Sequence, residues 1–154
     1  MDKSQLVDSL KKEIRSQYER ALSALAGAEE AATGEDTKAE GKYDTRGLEA
    51  SYLAAGQAEQ ADELARAVAA IDAFTFKDFE IDDPIAQGAL VEGDVDGELV
   101  YYLLAPAGGG LQLTTEEGEL ATVLGPASPL RNQIIGKTTG FILDEPSLMI
   151  LEVM

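Results

Sequence analysis

The chain of 154 residues is strongly acidic, with 29 acidic residues against 12 basic ones and a formal net charge of −17, so direct binding to free DNA or RNA is not expected. Its hydrophobic fraction of 45% is ordinary for a soluble globular protein and allows one compact domain or two small units. The absence of Cys and His excludes disulfides, thiolate chemistry and most transition-metal sites, and it removes the usual general base.

The N-terminal segment lacks the apolar stretch of a secretory signal, and no run of eighteen apolar residues occurs in the chain. We therefore expect a cytoplasmic protein without a membrane partner.

In the N-terminal part of the chain, apolar side chains recur in alternating steps of three and four, which predicts one long amphipathic helix. Its stripe consists of Val7, Leu10, Ile14, Ala21, Ala24, Ala28 and Ala31, with Gln17 as its polar interruption, and it is widened by Leu6, Tyr18, Leu22 and Leu25.

A second helix is predicted after a densely charged segment bounded by glycines. Its heptad-like stripe consists of Leu53, Leu64, Ala67, Ile71 and Phe74, together with the polar Gln57 and Gln60. Two such helices indicate an antiparallel hairpin over residues 1–75 with an exposed tip at residues 34–48. Because the tip is held away from any core, it is the first place to look for function.

The second half of the chain, residues 76–154, changes to the short apolar runs of a small, mainly antiparallel sheet. Turn signals rich in Gly, Pro and Asp separate the runs, which lie at residues 89–91, 99–104, 120–124, 141–143 and 148–153. Between two runs lies the segment SPLRNQIIGK, in which Ser128 can cap a helix, Pro129 fits its first turn and Gly136 can end it. The sequence therefore predicts an α+β chain with one short helix on the sheet.

A helical hairpin with a charged tip, followed by a small β domain containing SPLRNQIIGK, resembles the Gre family of bacterial transcript cleavage factors. The most specific similarity is Ser128-Pro129-Leu130 followed by Ile134-Ile135-Gly136-Lys137. A second similarity is the segment EASYLA at residues 49–54, which is similar to the start of the family's second hairpin helix. The residue before Ser128 is Ala127, where the family often carries an acid or amide that helps in docking.

The resemblance implies an FKBP-like C-terminal domain that docks on RNA polymerase, with Ser128 and Pro129 as the docking residues. It implies a hairpin that enters the polymerase secondary channel, where acidic tip residues help to hold the Mg²⁺ of the polymerase active site. The chain would then be no enzyme, with no cofactor or stable metal of its own, and would meet nascent RNA only within the polymerase complex. Oxygen ligands suffice for this chemistry, which needs neither His nor Cys.

At the tip, the resemblance implies a pair of acids near residues 41–49. Asp44 is the nearest candidate for one member, and Glu49 or Glu40 for the other, with Arg46 beside them. On a continuous helix Asp44 and Glu49 would point about 140° apart, so they converge only if Gly47 breaks the helix. Two structural interpretations compete: Glu40 fits a capping box with Thr37, and Asp44 fits an N-cap of the second helix.

Three other functions stay open at this point. The altered tip permits a regulator that occupies the polymerase channel without stimulating cleavage. An FKBP-like domain could also be a prolyl isomerase, although such a pocket needs several aromatics and the candidates are Phe79, Tyr101, Tyr102 and Phe141. Finally, the hairpin could serve as a coiled-coil adaptor for an unrelated partner.

Overall fold

The computed structural model describes residues 1–33 and 46–154 of the chain. In chain order the elements are α1 (Lys3–Thr33), α2 (Arg46–Ala73), β1 (Leu90–Val95), β2 (Glu98–Leu104), β3 (Gln112–Thr114), β4 (Leu120–Leu124), α3 (Pro129–Ile134), β5 (Ile142–Asp144) and β6 (Ser147–Val153). A long helical hairpin is thus followed by a sheet with one short helix, which confirms the predicted α+β class. Within these described residues, no helix is long and apolar enough to cross a membrane.

The chain divides into two compact units. One unit consists of Met1–Lys12 together with Ala69–Met154, and the other is Glu13–Val68. The first ten residues of α1, residues 3–12, therefore belong to the same unit as the sheet. The predicted division into a hairpin of residues 1–75 and a β domain of residues 76–154 follows the secondary structure and stays a prediction.

The apolar stripe of α1 is buried where its side chains are large. Leu6, Val7, Leu10 and Ile14 are at most 8% exposed, and Ala21 and Ala28 are also buried. The stripe was predicted to include Ala24 and Ala31, but both are exposed. On α2 the prediction holds for Ile71, which is fully buried, and fails for Leu53, which is 55% exposed. The large buried side chains of both helices therefore lie near the start of α1 and the end of α2.

The sheet has the strand order β3-β4-β2-β1-β6-β5. Four of its pairs are antiparallel, as predicted, whereas β2 and β4 run parallel with Tyr101 opposite Ala121 and Leu104 opposite Leu124. The parallel pair exists because β3 returns the chain along the far side of β4. The sheet is therefore mixed, and besides the five runs given above it contains β3, which overlaps the strand-like segment LQL at residues 111–113.

The turn between β1 and β2 has the geometry that its Asp-Gly sequence favours. Asp96 and Gly97 both have positive φ angles, of 53° and 89°, which is typical of a two-residue hairpin turn. The Gly97 N–H donates to Oδ1 of Asp94 at 2.8 Å, so that carboxylate also supports the turn. This confirms a turn between the predicted strand runs at residues 89–91 and 99–104.

One face of the sheet packs against α3. The core cluster on this face joins the helix to the strands through buried Ile134, Leu104, Leu124, Leu148 and Ile150. Phe79, Tyr102 and Phe141 pack against the same cluster. Because side chains alternate along a strand, Tyr101 lies on the opposite face from Tyr102. The four aromatics considered for an isomerase pocket are therefore divided between two faces.

Candidate functional site

The segment SPLRNQIIGK forms a helix whose start is fixed by Ser128. Ser128 is extended, with φ −67° and ψ 123°, and its hydroxyl oxygen accepts from the Arg131 N–H at 3.2 Å. Pro129 occupies the first turn, where its missing N–H leaves no bond unmade and its fixed φ suits the helix. Both expected docking residues therefore lie at the N-terminus of α3, and the predicted capping roles are confirmed.

Arg131 attaches α3 to the rest of the unit. The side chain is only 8% exposed, and its guanidinium donates from Nη1 to Ala105 O at 3.0 Å and from Nη2 to Gln87 Oε1 at 2.9 Å. Ala105 follows β2, and Gln87 lies in the segment that leads into β1. A buried cation satisfied by two oxygens thus holds the helix in one position, because leaving a charged group unpaired in the interior is costly.

The C-terminal end of α3 is held by backbone bonds to Ile85. The Gly136 N–H donates to Ile85 O at 2.7 Å, and the Ile85 N–H donates to Lys137 O at 2.8 Å. Gly136 has a φ of 80°, a conformation that glycine adopts at little cost after a helix. The predicted end of the helix at Gly136 is therefore confirmed, and both ends of α3 are anchored.

Next to Ser128 lies an open cavity of about 490 Å³, lined by residues 107–110 and 122–128. Two glycine-containing loops form its wall, and a Cβ on Gly109 would lie 3.0 Å from the Gly125 nitrogen. A Cβ on Gly125 would in turn lie 3.1 Å from the Gly109 Cα. Since backbone meets backbone here, a side chain at either position would require the facing loop to shift by a few tenths of an ångström.

The corner that precedes α3 is presented to solvent. Pro126, Ala127 and Pro129 are exposed, while Ser128 between them is half-buried. The cavity lining contains no charged side chain and none of the four candidate aromatics. Such an arrangement can bind another surface through its shape, its backbone groups and the hydroxyls of Thr122 and Ser128.

Of the expected tip residues, Arg46 and Glu49 lie within the part of the chain that the structure describes. Asp44 and Glu40 lie outside the described residues, together with Thr37 and the predicted capping box. Arg46 is the first residue of α2, and Glu49 is exposed in the first turn. Gly47 lies within α2, so the helix is not broken at that glycine. In the described ranges 1–33 and 46–154, no group of three acidic side chains is arranged to hold a metal ion.

Sequence reasoning missed Arg131, Gln87 and the contact between Gly109 and Gly125. Arg131 lies in the same short segment as Ser128, and the sequence alone predicts that an arginine at this position is exposed. Its acceptors are 26 and 44 residues away along the chain, so no local pattern could indicate its burial. The two glycines had a weak signal in the runs GGG and GP, which predict turns but not the approach of one loop to another.

No known protein-family profile and no curated protein sequence matches this chain. Among solved structures, the chain is similar to "GreA factor homolog 1 (Gfh1)" of Thermus thermophilus, with 16% identity over 94% of both chains and a TM-score of 0.37. It is also similar to a structure described as "the transcription factor Gfh1", with 19% identity over 97% and 93% of the chains and a TM-score of 0.35. For Gfh1 of Thermus aquaticus the identity is 17% over 97% and 94% of the chains, with a TM-score of 0.34.

Proposed function

We propose that this chain is a Gre-like factor that binds bacterial RNA polymerase and acts through the secondary channel on elongation or on transcript cleavage. The observation that carries the proposal is the exposed Ser-Pro corner at the start of α3, which is capped by Ser128 and anchored by Arg131. It is the part of the chain with the most specific resemblance to the family. The corner is exposed and held by these hydrogen bonds, and its cavity is lined without charged side chains, which suits a docking surface.

The hairpin supplies the second part of the proposal. α1 has 31 residues and α2 has 28, so each helix is long enough, at about 1.5 Å per residue, to reach roughly 40 Å. Their connecting segment carries Asp44 and Glu40, with Glu49 exposed just inside α2. In the proposed role these carboxylates approach the Mg²⁺ of the polymerase, and the polymerase performs the cleavage.

A regulator that does not stimulate cleavage is a second candidate, favoured by the geometry of α2. Because α2 continues through Gly47, it offers no break at this point to bring Glu49 round towards Asp44. A tip without a converging pair of acids would occupy the channel and slow synthesis without supplying ligands to the metal. The two candidates share one docking mode and differ in the fate of the transcript.

Docking is tested by equilibrium binding to core polymerase with two variants that keep α3 folded. Ser128→Asp retains a good N-cap, and Pro129→Glu places an acid in the first turn, where it is well tolerated. Both should weaken binding, because they change only the exposed corner. Glu116→Gln, an exposed position in the turn between β3 and β4, is the matched control and should bind as the parent does. A parent chain that core polymerase does not retain would overturn the proposal.

The chemistry is tested on stalled, backtracked elongation complexes. Shortened transcripts would assign the cleavage role, and slower extension without shortening would assign the regulator. If cleavage is observed, Asp44→Asn should abolish it while leaving the binding constant unchanged, and Glu40→Gln and Glu49→Gln identify the second acid. Cleavage that survives all three substitutions would remove these acids from the proposed role.

A further inference from the structure

Four exposed or half-exposed side chains form a line across one end of the sheet. In the register of the strands, Ile142 of β5 pairs with Met149 of β6, Met149 with Asp94 of β1, and Asp94 with Leu99 of β2. Directly paired residues point to the same face of a sheet. Ile142 is 61%, Met149 42% and Leu99 58% exposed. We call these four residues the outer row.

The outer row lies on the face opposite α3. Leu148 and Ile150, which flank Met149 along β6, belong to the core cluster that includes Ile134 of α3. Since side chains alternate, Met149 must point the other way. On its own face, Leu90 and Leu103 are fully buried, so this face is covered at one end and open at the row. The row is therefore separate from the Ser128 corner.

The open end of this face is strongly negative. Glu92 pairs directly with Glu152 and with Tyr101, which places two like charges side by side next to the row. Opposed like charges destabilise a sheet unless something neutralises them. Burial raises the pKa of Tyr101, and the charges of Glu92, Glu119 and Glu152 raise it further. No Lys or Arg occurs in any of the strands that the structure describes.

We propose that the outer row is a docking surface for a basic amphipathic helix of a partner protein. The apolar side chains of the partner helix would cover Ile142, Met149 and Leu99. The Lys or Arg side chains of the same helix would pair with Asp94 and with the Glu92 and Glu152 carboxylates. The proposal goes beyond the proposed function and does not rest on it.

Charge selects this occupant over the alternatives. A second copy would bring a further 17 negative charges to a face that is already negative, and nucleic acid or an anionic membrane would also be repelled. A basic partner would form ion pairs with this face, and complementary charge would also raise the rate at which the two proteins associate.

The spacing of the row also suits a helix. Neighbouring strands lie about 4.8 Å apart, so the four positions span about 14 Å across the sheet. One turn of a helix rises about 5.4 Å, so side chains on one helical face follow nearly the same interval. A helix lying across the strands would thus place successive turns over Ile142, Met149, Asp94 and Leu99, with a basic residue at the third turn.

The test uses the full chain and a synthetic peptide of about 14 residues made of Leu and Lys, with leucines at helical spacing on one face. The control peptide has the same composition with the leucines dispersed around the helix. Binding is measured by fluorescence anisotropy at about 0.15 M salt, where non-specific charge attraction is screened beyond about 8 Å. We expect the patterned peptide to bind and the dispersed one to bind at least tenfold more weakly.

The variants Ile142→Thr, Met149→Thr and Leu99→Thr keep strand propensity and charge, and each should weaken binding of the patterned peptide by about tenfold. Asp94→Asn should weaken binding and reduce its dependence on salt. Leu120→Thr is the matched control, because Leu120 is 55% exposed but lies on the other face, next to Ala121, which pairs with Tyr101.

Equal affinity for the two peptides would overturn the inference, as would equal weakening by Leu120→Thr and Leu99→Thr. If the chain forms a dimer that Leu99→Thr abolishes, the occupant of the row is a second copy of the chain. If the chain adsorbs to anionic vesicles and Leu99→Thr abolishes the adsorption, the occupant is a membrane surface. The variants of the row are also measured against core polymerase. Loss of peptide binding with polymerase binding retained separates this surface from the Ser128 corner, so the two proposals can fail independently.

Discussion

Ser128 holds the exposed corner at the start of α3 through one hydrogen bond, from the Arg131 N–H to its hydroxyl. We predict that Ser128→Ala lowers the free energy of unfolding by about 1 kcal/mol, the usual cost of losing an N-cap. Ser128→Asp should keep most of that stability, because an aspartate caps equally well. Urea unfolding followed by circular dichroism measures both, and equal stability of all three chains would show that the cap contributes nothing.

Arg131 should matter more, because its loss leaves two oxygens without a donor. Arg131→Met fills much of the volume but removes the bonds to Ala105 O and Gln87 Oε1, both made by a charged donor. We predict a loss of about 2–3 kcal/mol in unfolding free energy. Arg131→Lys, which can reach only one of the two acceptors, should be intermediate. A Met variant as stable as the parent would contradict the anchoring role in the same unfolding assay.

The residues that could be predicted from the sequence here are those with local signals. Ser128, Pro129 and Gly136 act on backbone groups within a few positions, so their chemistry is visible in the order of residues. Arg131 has no such signal, because its acceptors come from distant segments that only the folded sheet brings together. The assignment of Asp44 and Glu40 as tip acids rests on the resemblance alone and stays a prediction.

At the scale of elements, apolar period and turn residues predict the helices and the longer strands, and they indicate the short strand β3 only through the strand-like segment LQL. β3 has only the three residues Gln112–Thr114, too few to show a period, and it forms because β4 offers it an edge. The parallel pairing of β2 with β4 depends on the path of the chain between them, which composition does not encode. Leu53 fitted the period of α2 but is exposed, since period indicates a face and not what covers it.

Two glycines in the helices give a prediction at the same scale. Gly27 of α1 and Gly56 of α2 are exposed, and nothing lies within 4 Å of a Cβ placed on either. Alanine is favoured over glycine in a helix interior by about 0.8–1.0 kcal/mol. Gly27→Ala and Gly56→Ala should therefore each stabilise the unit Glu13–Val68 by up to that amount, seen as a higher thermal midpoint of the helical signal.

The contrasting positions are Gly109 and Gly125, where an added Cβ meets backbone. Gly109→Ala or Gly125→Ala should destabilise the sheet unit, because neither loop can move aside without changing the other. If these substitutions proved as harmless as those in the helices, the close approach of the two loops would be wrong.

At the scale of the whole molecule, Lys3 joins the start of the chain to its end. Its Nζ donates to Lys77 O at 2.6 Å and to Met154 O at 2.9 Å, and it lies 4.9 Å from the centre of the Phe79 ring. Burial lowers the pKa of Lys3 from 10.5 to about 8, although the nearby Asp78 charge opposes the shift. All of these residues belong to the unit formed by Met1–Lys12 and Ala69–Met154.

The sign of the resulting pH dependence follows from which state binds more protons. Between pH 8 and 10.5 the unfolded chain keeps the Lys3 proton while the folded chain releases it, so the contribution of Lys3 makes stability rise with pH. This gain is complete above the unfolded pKa and is lost as the pH falls through about 8. Subtracting the unfolding free energies of Lys3→Met from those of the parent isolates the effect, because the other groups cancel. A difference that stays constant from pH 7 to 10 would contradict it.

Tyr101 and Tyr102 should make the stability fall as the pH rises above 10, which is opposite to the effect of Lys3. Burial raises the pKa of both phenols above the ordinary value of 10.0, and for Tyr101 the negative face of the sheet adds to the shift. Above pH 10 the unfolded chain loses these protons first, so stability falls as the pH rises. Tyr101→Phe should flatten that decline more than it changes stability at pH 8, since a phenyl ring keeps the packing and removes the titration. Salt should reduce the Tyr101 part, because screening weakens the effect of Glu92 and Glu152 on the phenol, and it should leave the part due to burial unchanged.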